Sequence, residues 1–182
     1  MLMVIEKVDF LKEALAEEYY ECTFRNCDFH GLKITETKFE CCTFEDCNLS
    51  LTAFFTAVFD SQFKNCHMIG CDLSGLNIFS NGLEFQGCNL NYANFEKLKL
   101  KGLKFKDCTM VEASFEDATI QNAVFDDCDL DRTVFEGADL SRCNLAEAYN
   151  FAIDPTATRL KKAIFAKDNL EGLVAHLDIV IK

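Results

Sequence analysis

Carboxylate side chains recur at twenty-residue intervals in the C-terminal half of this 182-residue sequence. One series is Glu96, Glu116 and Glu136, and another is Asp107, Asp127 and Glu147. Between Asp107 and Glu147, eleven acidic residues stand against two arginines, a net charge of −9 out of −12 for the whole chain. Carboxylates concentrated in this way suit a basic partner surface, and the charge argues against direct binding of nucleic acid phosphates.

Catalysis is not predicted by any group of residues. There is no nucleophile paired with a base and no phosphate-binding loop, and repeated carboxylates differ from a pair held in a cleft. Neither His30 nor His67 has neighbours that complete a metal site. We therefore expect a binding protein that is not an enzyme and holds no metal or other cofactor.

The eleven cysteines are the other residues with chemical potential, and their positions decide how they are interpreted. Ten of them stand two places before a large apolar residue: Cys22, Cys27, Cys42, Cys47, Cys66, Cys71, Cys88, Cys108, Cys128 and Cys143. Alanine and threonine fill the same position elsewhere, which predicts buried thiols that act as small apolar side chains. Only Cys41 departs from this pattern. Free thiols suit a reducing, cytoplasmic location.

The elements that position these residues follow a period of five. Every fifth residue from Phe95 is large and apolar: Phe95, Leu100, Phe105, Met110, Phe115, Ile120, Phe125, Leu130, Phe135, Leu140 and Leu145. Neither an α-helix nor a β-strand has this period. A five-residue unit that turns through a right angle predicts a square coil of twenty residues, with coils stacked at about 4.8 Å.

Stacking at twenty residues assigns the large side chains to four walls. Phe95, Phe115 and Phe135 are predicted on one wall, and Phe85, Phe105 and Phe125 on the opposite wall. The other two walls hold Leu100, Ile120 and Leu140, and Leu90, Met110 and Leu130. The same arithmetic places Cys88, Cys108 and Cys128 in one column.

Two irregularities interrupt the period, which begins at Phe24. We expect one residue to be missing between Phe59 and Phe63 and two extra residues before Phe85, at the Asn81-Gly82 pair. A bulge at a corner is favoured over a recognition loop for residues 79–82. Before Phe24, Met3, Ile5 and Phe10 suggest a capping strand, and for Asp9 to Glu18 we favour an irregular coil over a short helix.

The C-terminal segment differs from the coils. Asp168 to Leu177 predicts a helix that Asp168 caps, followed by a strand at Ile179-Val180-Ile181. The expected domains are an N-terminal cap (1–18), a β-helix (19–150) and a C-terminal module (151–182). That module is predicted to cover the last coil. Its apolar residues also predict a homodimer interface: Leu170, Leu173, Val174, Leu177, Ile179 and Ile181.

The repeated units resemble those of the pentapeptide-repeat proteins. Residues 128–132, 138–142 and 143–147 match the family pattern A/C-D/N-L/F-x-x, and the match runs from about Tyr19 to Leu145. This resemblance implies an all-β, right-handed quadrilateral β-helix. Residues 149–155 and 160–165, with the apolar C-terminus, resemble the C-terminal dimer module of the Qnr and McbG-like branch.

The resemblance also implies a function. Members such as Qnr, McbG and MfpA bind DNA gyrase or topoisomerase IV, several protect it from quinolones or toxins, and their acidic rods are interpreted as DNA mimics. The expected partner-binding residues are Glu96, Asp107, Glu116, Asp117, Asp126, Asp127, Glu136 and Glu147. The alternative is a scaffold that has an unknown partner and no topoisomerase role.

A basic island and the absence of long loops depart from that picture. Lys97, Lys99, Lys101, Lys104 and Lys106 interrupt the acidic surface. They are predicted to offset acids one coil away, with Lys97 on Asp117 and Lys106 on Asp126, and Glu112 with Arg132 in the same way. Loops such as those of Gram-negative Qnr proteins are not expected, and no apolar stretch is long enough to cross a membrane.

Overall fold

The protein winds into a four-sided parallel β-helix, described by a computed structural model for residues 3–55, 58–76, 82–177 and 179–180. The strands are β1 (Met3–Glu6), β2 (Glu18–Tyr20), β3 (Cys22–Arg25), β4 (Lys33–Ile34), β5 (Lys38–Glu40), β6 (Thr43–Glu45), β7 (Ala53–Phe54), β8 (Val58–Phe59), β9 (Gln62–Lys64), β10 (Glu84–Gln86), β11 (Lys104–Lys106) and β12 (Val124–Asp126). Two 3₁₀-helices follow, η1 (Lys167–Leu173) and η2 (Ala175–Leu177). The strands form a seven-stranded sheet, β1-β3-β6-β9-β10-β11-β12, and two smaller sheets, β2-β5-β8 and β4-β7.

The square coil expected from the period of five is confirmed by the pairing register. Phe85, Phe105 and Phe125 are direct partners in parallel strands, and isolated bridges such as Asn94↔Ser114 and Thr119↔Asp139 continue the twenty-residue register on other sides. We number the four sides in chain order by their inward residues. Wall 1 contains Phe95, Phe115 and Phe135; wall 2 contains Leu100, Ile120, Leu140 and Leu160; wall 3 contains Phe85, Phe105, Phe125 and Leu145; wall 4 contains Leu90, Met110 and Leu130.

Stacked phenylalanine rings fill the interior. Phe105 lies between Phe85 and Phe125, with both ring-centre distances at 5.1 Å, and Phe95 stacks on Phe115 at 4.4 Å. Rings on wall 1 also meet rings on wall 3 edge to face; for example, the ring centres of Phe95 and Phe105 are 5.8 Å apart. Both geometries are favourable for aromatic pairs. The large residues predicted for the four walls are all buried.

Small or apolar side chains stand two places before each inward residue, and several of those with a hydroxyl or thiol lie close to a carbonyl of the preceding coil. Thr52 Oγ1 donates to the Phe29 carbonyl at 2.7 Å, and Cys143 Sγ lies 3.1 Å from the Ile120 carbonyl. The position therefore accepts a small apolar side chain such as alanine, and it also accepts threonine and cysteine because their hydroxyl or thiol finds a carbonyl partner there.

The interpretation of the cysteines is confirmed. The ten in-step cysteines are buried, Cys41 is exposed, and all eleven thiols are free. Burial raises the pKa of Cys42 to about 11 and that of Cys143 to about 12. These thiols are therefore protonated at neutral pH, as expected of apolar packing residues.

Thr133 allows a test of whether a hydrogen-bond donor two places before the inward residue stabilises the fold. Its hydroxyl is buried and donates to the Met110 carbonyl at 2.7 Å. Replacing Thr133 with valine keeps the shape and removes the hydrogen bond, so we expect a loss of about 1 kcal/mol of unfolding free energy. The matched variant Thr133→Cys, which supplies the thiol found at this position in other coils, is expected to lose less. Chemical denaturation measures both, and equal losses would contradict the donor role.

At most corners, the residue two places after the inward residue has a left-handed backbone. Asp107, Asp117 and Asp127 have φ of 52°, 56° and 50°, and Gly137 has φ of 72° at the equivalent position. Asparagine, aspartate and glycine tolerate this region best. Part of the acidity at the corners therefore has a local structural reason.

The structure corrects the position of the first irregularity. The register pairs Phe39 with Val58, so Val58 and not Phe59 occupies the inward register position. The unit that is one residue short therefore lies between Phe54 and Val58. Apolar character alone favours Phe59, because phenylalanine is larger than the neighbouring valine. The two extra residues before Phe85 are confirmed by the pairing of Phe63 with Phe85, twenty-two residues apart. Residues 79–81 lie outside the described part, so the predicted bulge there stays a prediction.

At the N-terminus, β1 pairs in parallel with β3 and forms the edge of the seven-stranded sheet. Phe10 is buried against Phe29, with ring centres 4.6 Å apart. Residues 9–18 contain turns and no helix, in agreement with an irregular first coil.

The C-terminal segment differs from the prediction in two ways. The expected helix consists of the 3₁₀-helices η1 and η2, and η1 begins after Ala166 without a side-chain cap, so Asp168 is not the cap. A 3₁₀-helix has three residues per turn, which breaks up the apolar stripe drawn for an α-helix. Ile179 and Val180 form no strand, and Ile181 lies outside the described residues.

Candidate partner-binding walls

The eight predicted partner-binding residues form two groups on opposite walls, and not one continuous face. Glu96, Glu116, Asp117 and Glu136 belong to wall 1 and its following corner, whereas Asp107, Asp126, Asp127 and Glu147 belong to wall 3 and its following corner. Six of the eight are exposed, and Glu96 and Asp126 are half-buried. A flat partner surface can therefore contact only one group at a time.

On wall 1, glutamates stack one above another. The backbone N–H of Lys97 donates to the Glu116 carbonyl and that of Asp117 to the Glu136 carbonyl, both at 2.9 Å, which fixes the coils in register. The Asp117 carboxylate lies directly over Gly137, where an added Cβ would come within 2.2 Å of its Oδ1. Like charges one strand spacing apart repel by roughly 1 kcal/mol in water, so the glutamate column does not stabilise the fold.

On wall 3 the acidic surface continues around the corner onto wall 4. Asp127 lies at this corner, and Asp129 and Asp131 follow on wall 4. Asp129 Oδ1 accepts hydrogen bonds from the Asp131 backbone N–H at 3.2 Å and from Asn150 Nδ2 at 2.9 Å. Sequence reasoning left Asp129 and Asp131 out of the site, although their spacing from Asp127 places them beside it.

The basic island is divided among the walls. Lys106 pairs with Asp126 at 3.8 Å and Arg132 with Glu112 at 3.1 Å, which confirms two of the predicted pairs. Lys104 pairs with Glu84. Lys97 and Asp117 are both described, and no ion pair joins them, so the third predicted pair is wrong. The lysines on wall 3 therefore offset part of its acidity. Within the part of the chain that the structure describes, no cation pairs with Glu116 or Glu136.

The C-terminal module closes the end of the β-helix. Asn169 Nδ2 lies 3.0 to 3.3 Å from the carbonyls of Leu145, Ala146 and Ala148 in the last full coil. The Ile153 backbone N–H donates to the Gly172 carbonyl at 2.9 Å. Polar groups at the open end of a β-helix need such partners.

The predicted dimer residues have different surroundings. Leu173 packs against the core and Val174 is half-buried, whereas Leu170, Leu177 and Ile179 are exposed. A surface hollow of ≈ 570 Å³ lies between residues 149–152 and the 3₁₀-helices, with Val174 and Ile179 on its lining. Leu170, Leu177 and Ile179 are therefore the residues still available to a second copy of the chain.

Gly172 provides a test of how the module docks. An added Cβ would lie 2.4 Å from the Phe151 carbonyl oxygen and 2.5 Å from its ring. We expect Gly172→Ala to lower the unfolding free energy by about 1–3 kcal/mol through overpacking and to expose the module to protease. Limited proteolysis and thermal unfolding measure this effect. Glu171→Ala, at an exposed neighbour, is the control, and equal behaviour of the two variants would contradict tight docking.

The described residues contain no group of three histidine, cysteine, aspartate or glutamate side chains placed to hold a metal ion. Over the same part of the chain, the helices are too short and too polar to cross a membrane.

Comparison with known proteins places this geometry in a family. A family model described as a pentapeptide repeat region matches residues 18–95 and 82–149. The quinolone resistance pentapeptide repeat protein QnrB96 of Scandinavium goeteborgense is 35% identical over 79 residues, which cover 40% of this chain and 34% of that protein. The matched part thus spans about a third of that relative.

Solved structures agree with the fold. A trypsin-treated form of QnrB1, a plasmid-mediated fluoroquinolone resistance protein, superposes with a TM-score of 0.66 at 19% identity, with all of both chains covered. Full-length QnrB1 gives a TM-score of 0.54 at 18% identity, with 98% of each chain covered. At this identity the likeness shows the fold alone. Since the family model matches from residue 18 to residue 149 and the four-sided coil accounts for that match, the chain belongs to the pentapeptide repeat family.

Proposed function

We propose that this protein is a non-catalytic DNA mimic that binds the DNA site of a type II topoisomerase, DNA gyrase or topoisomerase IV, and protects the enzyme from quinolones or toxins. The observation that carries the proposal is the net acidic surface of wall 3, its corner and wall 4, where acids outnumber the cations Lys104, Lys106 and Arg132. Its corner column, Asp107, Asp127 and Glu147, repeats at strand spacing, about 4.8 Å, beside Asp129 and Asp131. The quinolone resistance named for QnrB96 supports the same role.

Carboxylates in register along a rod present a regular line of negative charge, as DNA phosphates do. A channel that binds DNA is lined with basic side chains, so it would attract this surface. The exposed Leu170, Leu177 and Ile179 would join two copies at their C-terminal ends and double the acidic length. Ile181, outside the described residues, belongs to the same proposed interface. This role requires a cytoplasmic location, where the topoisomerase acts.

The test is a supercoiling assay with purified DNA gyrase. We expect the protein to inhibit supercoiling as its concentration rises, and at lower concentration to restore activity in the presence of a quinolone. Light scattering on the same sample is expected to show a dimer. Unchanged supercoiling, together with no capture of gyrase subunits from a bacterial lysate, would contradict the proposal, and a monomer would remove the extended-rod version.

A scaffold role without a topoisomerase is the second candidate. It is favoured by the left-handed corners, because Asp107, Asp117 and Asp127 occupy backbone positions that suit aspartate for local reasons. In that case the acidity serves solubility and the fold. Retained fold and absence of any effect on gyrase would support this candidate.

A further inference from the structure

The C-terminal part of wall 2 has a positive net charge, opposite to that of the whole protein. Over its last four coils, residues 98–102, 118–122, 138–142 and 158–162, it has six cations and one acid, Asp139. The net charge of this surface is +5 in a protein of net charge −12. The cations are Lys99, Lys101, Arg142, Arg159, Lys161 and Lys162, and all six are exposed.

The cations of wall 2 lack the ion pairs formed elsewhere. On walls 3 and 4, Lys104, Lys106 and Arg132 each pair with an acid one coil away. Among the residues the structure describes, none of the six wall 2 cations forms such a pair. Their positive charge is therefore available to another molecule.

The single acid on wall 2 is already engaged. Asp139 accepts hydrogen bonds from Gln121 Nε2 at 2.7 Å and from the Ser141 backbone N–H at 2.9 Å. Although burial opposes ionisation, these hydrogen bonds hold the pKa of Asp139 below its usual value, so the carboxylate is charged at neutral pH. It orients Gln121, and the nearby Arg159 also favours its charged form, although no ion pair joins these two described residues.

Four of the cations meet at one place. The last coil stacks on the coil below it, where the Arg142 backbone N–H donates to the Lys161 carbonyl at 3.0 Å. Arg142, Arg159, Lys161 and Lys162 surround a hollow of ≈ 340 Å³ with Gln121, Asp139 and Ser141 on its lining. Lys99 and Lys101 extend the surface three coils further, about 14 Å at strand spacing.

The length of the basic surface on wall 2 and the acids beside it limit which kind of ligand can bind there. Wall 2 becomes acidic towards the N-terminus, at Glu18, Glu21 and Glu40, and wall 1 beside it has the glutamate column. A duplex is wider than one wall, so it would also meet these acids, and the net charge of −12 repels a long polyanion. An extended peptide advances about 3.3 Å per residue, so four or five residues match the surface.

We propose that wall 2, from Lys99 to Lys162, binds a short acidic segment of a partner protein. Carboxylates of the segment would meet the four-cation hollow at one end and Lys99 and Lys101 at the other. Arginine and carboxylate form strong, charge-assisted hydrogen bonds, which favours Arg142 and Arg159 as the anchoring residues. This surface is separate from the acidic walls, so the inference does not depend on binding to a topoisomerase.

The experiment measures the anisotropy of a fluorescently labelled octaglutamate peptide titrated with the full chain. We expect binding that weakens steeply as salt is raised, and at least a tenfold loss of affinity in the variant R142Q/R159Q/K161Q/K162Q. The matched control, K7Q/K64Q/K104Q/K106Q, removes four lysines from wall 3 and its corner and makes the same change in net charge. It is expected to retain the affinity within twofold. Thermal unfolding establishes that both variants are folded.

Several results would overturn the inference. One is no binding by the unmodified protein at low salt, and another is an equal loss in the two variants, which would indicate a general effect of net charge. Tighter binding of a short DNA duplex than of the peptide would assign the surface to nucleic acid. Self-association at low salt that only the wall 2 variant abolishes would assign it to a second copy of the chain.

Discussion

Replacing Phe105 with alanine is expected to lower the unfolding free energy by about 3–5 kcal/mol. The ring is fully buried, stacks between Phe85 and Phe125, and meets Phe95 and Phe115 edge to face at 5.8 and 6.1 Å. The strands above and below are held in register, so the walls cannot collapse into the space that the ring leaves. Denaturant unfolding followed by circular dichroism measures the loss.

The Phe105→Ala substitution should also change the shape of the unfolding transition. In a solenoid each coil contacts only its neighbours, so a cavity in the middle weakens the coupling between the two halves. We expect a broader transition than in the unmodified protein. The control is Phe55→Ala, because Phe55 is 43% exposed and lies at the surface, with the Lys33 ammonium group 5.0 Å from the ring centre. A loss for Phe105→Ala no larger than that of the control would show that the ring stack is not the main source of stability.

Neutralising the corner column of wall 3 is expected to weaken binding to the proposed topoisomerase at least tenfold. The variant D107N/D127N/E147Q keeps the left-handed corners, since asparagine tolerates that backbone conformation as aspartate does. Three carboxylates at roughly 0.5–1 kcal/mol each add up to a tenfold change or more. Inhibition of gyrase supercoiling as a function of protein concentration provides the measurement.

The matched variant E96Q/E116Q/E136Q removes the same charge from wall 1. We expect it to have a smaller effect, because the glutamate column borders the basic wall 2, whereas the corner column has Asp126, Asp129 and Asp131 beside it. If both variants inhibit gyrase as well as the unmodified protein does, the acidic surfaces do not form the contact. If wall 1 alone matters, the opposite side of the rod faces the enzyme.

The large inward residues were the easiest part of the fold to predict. Phe95, Phe105 and Phe115 repeat with a period that only one kind of coil produces, and the pairing register confirms their walls. Phe59 was wrongly assigned to the periodic position because it is the larger apolar residue beside Val58, and only strand register separates the two. Apolar character alone therefore identifies a coil, but at an irregular corner it does not show which of two neighbouring apolar residues occupies the inward register position.

The site was harder to predict because charge was counted along the chain. Asp117 and Asp127 are close in sequence and lie on opposite sides of the rod, and Lys99 and Arg159 are sixty residues apart on one wall. Counting charge for each wall separately would have revealed both the acidic corner and the basic wall 2. The 3₁₀ geometry of η1 could not be predicted from charge or apolar pattern, which do not show how closely Gly172 packs against Phe151.

The steady twenty-residue register has a consequence for how such a rod changes in evolution. A duplication or loss of twenty codons in the part of the gene that encodes the β-helix would lengthen or shorten the rod by one coil, about 4.8 Å. All the remaining residues would stay on their own sides. Asn169 would still contact the same carbonyls of the final coil. The span of the rod can therefore vary in whole coils while its charged sides and its end remain the same.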